Sequence, residues 1–383
     1  MGHDHGGSAA IREEVAAICA RFPDEYWRGL DADRRYPEEF LQALLESGWL
    51  GVLIPREYGG KGLGITEAAV VIEEISRSGG NAATCHAQIY NTGMLVRHGS
   101  EELRKSYLPR IAAGELRLLA FALTEHDAGL DTTRIATEAV RDGDDYVVNG
   151  TKNWLSRVQH SDLMILAART APYEAGARRA EGLSAFLVEL PADGIEARPV
   201  RTMLNLETNE VTFRDLRVPA ENLIGEEGAA FRYLIHGVNG DRIAAASAAI
   251  GDSRWFLAKA SRYASEREVF GRPIGQNQSI QFPLARAYAA TEAASLMRFR
   301  AAELYDRGES CAAEANMAKL LASEASWDAA NAAMNTFGGY GFAAEYDVER
   351  KFRETRLFVN GPGSNQLLLS YLGQHVLGMP RSF

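Results

Sequence analysis

Apolar residues recur at helical spacing from Ala9 to about Leu116. In PEEFLQALLESGWLG, Leu41, Leu44 and Leu45 fall on one face of a helix that Gly48 can stop. After a glycine-rich turn, IPREYGGKGLG, the period resumes from Ile65 to Ser76, with Val70, Val71, Ile72 and Ile75 apolar among charged residues. Pro109 is expected to separate a further helix from IAAGELR, because a proline removes a helical hydrogen bond. Near Leu118 the period shortens. IATEAVRDGDDYVVNG reads as two strands joined by an Asp-Gly turn, and SDLMILAART, LSAFLVEL, IEARPV and EVTFRDLRVP follow as short strands between Pro, Gly and Asp. From Glu226 the helical period returns in alanine-rich runs over Asp241 to Arg267, Ser279 to Arg307 and Ala312 to Phe337. Alanine at this density lets helices approach closely. The pattern predicts a mainly α fold with a β middle domain: an N-terminal helical domain (1–117), a small β barrel or sandwich (118–226) and a C-terminal four-helix bundle (227–383).

Length agrees with several domains, since 383 residues exceed what one core supports. Charge narrows the partners. With 41 Lys plus Arg against 51 Asp plus Glu, the net charge of −10 argues against nucleic acid or an anionic membrane, while leaving room for a local basic site. Cys19, Cys85 and Cys311 are scattered and odd in number, so neither a disulfide framework nor a cysteine metal site is expected, and a reducing compartment fits. The start, MGHDHGGSAA, has no apolar or arginine-rich targeting character, and no apolar run reaches membrane-spanning length, so a cytoplasmic location is expected. His3 and His5 could bind a metal, but in a glycine-rich terminus they read as tail, and no metal site is expected.

Four stretches carry residues suited to chemistry. In LLAFALTEHDAGLDTT a strand containing Phe121 and Leu123 ends at Thr124, whose hydroxyl and neighbouring amides suit ring carbonyls; an ordinary strand exit would look the same. In NGTKNWLSR, Trp154 and Ser156 stand two apart on a strand and are expected on one face, a wall for an aromatic cofactor or a core Trp beside a satisfied Ser. In SEREVFGRPIGQNQSIQ, Arg267, Phe270 and Gln278 surround a Gly-Arg-Pro loop; Arg267 could neutralise a pyrophosphate and Gln278 could bind a ribose or ring edge. Finally, FGGYGFAAEYDVERKFRETRLFVNGPGSNQ runs from the Gly338-Gly339 turn to a loop broken by Gly361-Pro362-Gly363, which no ordinary helix continues through.

Taken together, in this order and spacing, these stretches resemble the acyl-CoA dehydrogenase family over nearly the whole chain. LTEHDAGLD looks like the family's TE-x-x-A-G-S-D, TKNWLSR like K-x-W-I-T/S, REVFGRPIGQNQSIQ like R-x-x-F-G-x-P-I…Q, and FGGYGF…VERKFRETR like F-G-G-x-G…E-R-x-x-R-D; SEELRKSYLPRIAAGE is similar to a stretch of the first domain. The resemblance implies FAD as cofactor, an acyl-CoA or carrier-bound acyl thioester as substrate, an electron-transfer flavoprotein as acceptor, and a homo-oligomer, by analogy a tetramer built as a dimer of dimers. It implies that Phe121, Leu123 and Thr124 line the isoalloxazine, that Trp154 covers it and that Ser156 reaches its N5 region. Arg267, Phe270, Gln278, Asn335, Gly338 and Gly339 would reach the FAD of a neighbouring subunit, with Asn335 standing where relatives usually carry Gln, and Ser364 and Gln366 would complete the adenosine-side grip.

The implied reaction is α,β-desaturation, in which a carboxylate removes the α-proton while the β-hydrogen leaves as hydride. At the position most relatives fill with the catalytic Glu, this chain has Pro362, which offers neither a carboxylate nor an N–H. Some relatives carry the base on a bundle helix instead, in a motif like L-x-x-E-R. GVNGDRIAAA aligns there, with Asp241 at the base position and Arg242 beside it on the CoA side; Asp241 as the N-cap of a long helix is the competing reading. Gly363 and Leu130 border the substrate, Leu130 replacing the family's Ser. A lyase or oxidase on the same scaffold, or a non-catalytic subunit of a hetero-oligomer, would also accommodate Pro362 and Leu130.

Overall fold

The structure is a computed structural model that describes residues 8–172 and 180–381; His3 and His5 lie outside the described residues. Six helices come first: α1 (Ser8–Cys19), α2 (Asp24–Asp33), α3 (Glu38–Glu46), α4 (Ile65–Arg77), α5 (Ala83–His98) and α6 (Glu101–Ala112). The apolar stripes seen in the sequence are their buried faces: Leu41, Leu44 and Leu45 on α3, and Val70, Val71, Ile72 and Ile75 on α4. Pro109 does not end its helix. It lies inside α6, which continues to Ala112. Pro109 and Lys105, the residue whose carbonyl loses its helical partner, are both exposed, so water can take up that carbonyl.

The strands are β1 (Leu118–Ala122), β2 (Glu138–Asp142), β3 (Asp145–Ser156), β4 (Leu163–Arg169), β5 (Leu183–Glu189), β6 (Ile195–Pro199) and β7 (Thr208–Pro219). They form one seven-stranded sheet, ordered β1-β4-β2-β3-β7-β6 with β5 paired to β4. The expected barrel or sandwich is this half-barrel. β2 and β3 pair antiparallel across the Asp-Gly turn, as anticipated. β4 and β5 run apolar without alternation because both their faces are covered. Leu163, Ile165, Ala167, Leu183, Ala185 and Leu187 enter a core with Leu95, Leu103 and Leu108 of the helices, whereas Met164, Leu166, Ala168, Phe186 and Val188 enter the core inside the sheet.

The long helices follow: α7 (Ala230–Glu266), a two-stranded hairpin of β8 (Glu268–Val269) and β9 (Arg272–Pro273), α8 (Gln278–Asp306) and α9 (Ala312–Phe337). Short helices α10 (Val348–Thr355), α11 (Leu357–Asn360) and α12 (Asn365–Tyr371) close the chain. Helix α7 is 37 residues long and begins well before Asp241. Gly237 and Gly240, which resemble a break in the sequence, are helical; a Cβ on Gly240 would come 3.1 Å from the Tyr305 hydroxyl oxygen, so a small residue is what this packing admits.

Two compact units emerge, one of 1–40, 64–86 and 239–383, the other of 41–63 and 87–238. The first unit is laced internally by ion pairs. Glu73 of α4 is fully buried and meets Arg12, Arg254 and Arg298, the last at 2.6 Å. Burial alone would raise its carboxyl, but Arg298, then Arg254 and Arg12, outweigh this and hold it down at about 2.

Candidate active site

In the second unit, β1 ends at Ala122 and the chain leaves through Leu123 and Thr124. This exit is tied to β3. The Thr124 carbonyl accepts from the Asn153 amide at 2.7 Å. The buried Lys152 ammonium donates to the Leu123 carbonyl at 3.0 Å and to Glu125 Oε1 at 2.8 Å. Glu125 in turn accepts from the Ala136 and Thr137 amides at 2.6 and 2.9 Å. Burial raises the Glu125 carboxyl, yet Lys152 and these donors leave it below its ordinary value, while burial lowers the Lys152 ammonium. Glu125 and Lys152 belong to two of the conspicuous sequence stretches, and together they fix where Leu123 and Thr124 point their backbone.

The pairing of β3 with β7 shifts register between Lys152 and Leu155, and Trp154 sits in that bulge at φ 64°. The indole is left 60% exposed, and Ser156, two residues on, is half-buried, with the buried Leu155 between them. Phe121 is half-buried and meets Tyr90 edge to face at 5.8 Å. Leu130, beyond the exposed Gly129, is itself exposed.

In the first unit Asp241 lies inside α7, so it does not cap that helix. Its Oδ1 is 2.6 Å from His86 Nε2, and both side chains are only 13% exposed. Arg242 Nη1 donates to Asn239 Oδ1 at 3.4 Å, and its Nη2 lies 3.9 Å from where a Cβ on Gly363 would stand. Lys319 of α9 holds the Gly361-Pro362-Gly363 loop. Its Nζ donates to the Gly363 carbonyl at 2.8 Å and to Asn365 Oδ1 at 3.0 Å. Burial, assisted by Arg242 and opposed by Asp241, pushes the Lys319 ammonium down to about 8. The structure thus gathers Asp241, Arg242 and Gly363, and adds His86 and Lys319, which the sequence reading missed. A histidine and a lysine in otherwise apolar helical runs were the available signal.

The hairpin and the α9 terminus carry the remaining residues. Arg267, Gln278, Asn335, Gly338, Gly339 and Gln366 are all exposed. Arg267 stacks its guanidinium 5.9 Å from the Tyr340 ring centre, which joins the third conspicuous stretch to the fourth. Phe270, at φ 53°, is fully exposed at the hairpin tip. Nothing lies within 4 Å of a Cβ built on Gly338 or Gly339, so their backbone is open to close approach. Ser364 caps α12 by accepting from the Leu367 amide at 3.3 Å. Within the first unit, a bare phenylalanine, an exposed guanidinium and open glycines suit a phosphate-bearing ligand.

Models of the N-terminal, middle and C-terminal domains of acyl-CoA dehydrogenases match residues 7–115, 120–216 and 228–377. The acyl-CoA dehydrogenase FadE12 of Mycobacterium tuberculosis strain H37Rv is 34% identical over 381 residues, covering 98% of this chain and 97% of that relative. Among solved structures, a glutaryl-coenzyme A dehydrogenase in complex with glutaryl-CoA superposes with a TM-score of 0.93 at 29% identity, covering 100% of this chain and 98% of that one. PigA with FAD and proline superposes with a TM-score of 0.92 at 25% identity, covering 99% of each chain.

Proposed function

The chain belongs to the acyl-CoA dehydrogenase family and is an oxidoreductase of that kind, and on this premise we propose how its residues divide the work. FAD, when bound, supplies the hydride acceptor. Thr124, with Phe121 and Leu123, lines the ring, Trp154 covers it and Ser156 stands toward its reactive edge. Arg267, Phe270, Gln278, Asn335, Gly338 and Gly339 grip the dinucleotide of a neighbouring subunit in a homotetramer, with Ser364 and Gln366 beside the adenosine. The exposure of Phe270 and Arg267 supports that reading, because a bare aromatic and an uncovered cation are what a partner or phosphate would cover.

Asp241 removes the substrate α-proton. The observation that carries this is its place inside α7 beside Arg242 and the Gly363 loop, shielded from water and in contact with His86, rather than at a helix cap. Proton removal from carbon next to a thioester asks for a desolvated carboxylate and a donor for the developing enolate oxygen. Pro362 cannot donate, so the Gly363 N–H is the adjoining backbone donor, on a loop that Lys319 anchors. Arg242 holds the CoA side of the substrate, and Leu130 borders the substrate with an apolar side chain. Electrons pass on to an electron-transfer flavoprotein. The three buried free cysteines accord with a reducing cytoplasm.

The decisive experiment is anaerobic mixing of the FAD-loaded protein with a panel of acyl-CoA thioesters, followed by flavin absorbance. At least one thioester is expected to bleach the wild type, and Asp241→Asn should retain FAD and lose the bleaching. An Asp241→Asn variant that bleaches at the wild-type rate removes Asp241 from the chemistry.

A further inference from the structure

The contact between His86 and Asp241 joins α5 to α7. His86 Nε2 and Asp241 Oδ1 stand 2.6 Å apart, within ion-pair distance, although the ring nitrogen is not aligned as a hydrogen-bond donor to that oxygen. The other cations near this carboxylate are engaged elsewhere: Arg242 with Asn239, and Lys319 with Gly363 and Asn365. Among the described residues, His86 is the group in ion-pair contact with Asp241.

We propose that His86 is a positioning residue for the Asp241 base: its Nε2 engages Oδ1 in the ion-pair contact and so limits rotation of the carboxylate, leaving Oδ2 for the α-proton. The inference rests on Asp241 being the base. Its physical motive is reach, because aspartate is one methylene shorter than glutamate and a misplacement of about 1 Å can cost about 100-fold in rate. In the step itself the Cα–H bond breaks and the proton passes to Oδ2. The electron pair of that bond becomes the Cα=Cβ π bond, and the Cβ–H pair would leave with the β-hydrogen as hydride to the flavin when it is bound.

The test uses the FAD-loaded enzyme and a 3-thiaacyl-CoA, which can lose an α-proton but has no β-hydrogen to give. Deprotonation is read as a long-wavelength charge-transfer absorbance, and binding is titrated separately. His86→Leu and His86→Met are expected to slow the appearance of this band by about 100-fold while changing the dissociation constant little. His86→Gln, which keeps an N–H donor, should recover most of the rate. Melting temperature and the FAD-to-protein ratio qualify each variant, and if neither donor-less variant keeps FAD, His86→Gln decides: near wild-type band formation supports the proposal and its loss overturns it. Wild-type rates in the Leu and Met variants, with Asp241→Asn inactive, overturn the role of His86 while leaving Asp241 as the base. Band formation in Asp241→Asn overturns both.

Discussion

Lys152 Nζ sits 2.8 Å from Glu125 Oε1 and 3.0 Å from the Leu123 carbonyl, so one buried ammonium stitches the exit of β1 to the strand that carries Trp154. Removing it leaves Glu125 with a buried charge and the exit with an unanswered carbonyl. Lys152→Met is expected to destabilise the fold by about 3–5 kcal/mol, the usual cost of breaking one side of a buried pair. Urea unfolding followed by tryptophan fluorescence measures this, and a fall in bound FAD should accompany it. A variant as stable as the wild type would make the pair dispensable.

Glu73 sets a limit toward acid. Its carboxyl, normally near 4.5, is held at about 2 in the folded chain, so the folded state binds fewer protons than the unfolded one between those values. The stability it contributes is complete above about 4.5 and is lost as pH falls toward 2. Glu73→Gln, which strands Arg12, Arg254 and Arg298, should lose about 3–5 kcal/mol at pH 7 and show a shallower decline between pH 4.5 and 2 than the wild type. Parallel denaturant curves across that range would reveal the difference in slope.

Lys319 acts at the opposite end of the scale. Its ammonium titrates at about 8 when folded and at 10.5 when free, so between those values the unfolded chain holds the extra proton and stability rises with pH. Below about 8 both states are protonated and the slope vanishes. Between pH 7.5 and 10.5 the melting temperature of the wild type minus that of Lys319→Met should rise; parallel curves would contradict the assignment.

Phe270 offers a test of assembly. Phe270→Asp should leave the melting of the isolated chain nearly unchanged, because the ring touches nothing when fully exposed. Sedimentation should then show smaller species and a lower FAD content. An unchanged oligomer with full FAD would mean that the hairpin tip lies outside the interface.

The sequence made the helix–sheet–helix division legible because the helices keep their period: the buried leucines of α3 and the valines of α4 are the ones the spacing singles out. It misled where packing overrules local signals. Pro109 reads as a boundary, but its exposed position lets α6 continue. Gly240 reads as a helix start, but Tyr305 requires a small residue within α7. The bulge at Trp154, which bares the indole, leaves no mark in the residue pattern. Asp241 was reachable from motif and spacing, whereas its contact with His86 was not, because residues so far apart in the chain meet only through the fold.

With Asp241 as the base, as proposed, the interior of a 37-residue helix gives the reaction a thermal character of its own. Its backbone is held by hydrogen bonds on both sides, so only two side-chain torsions remain to be frozen when substrate arrives. A carboxylate carried on a glycine-bounded loop would have to order main chain as well. Reaction through Asp241 should therefore pay little activation entropy for organising the base, and the temperature dependence of α-proton removal should be governed mainly by the enthalpy of the bond-breaking step.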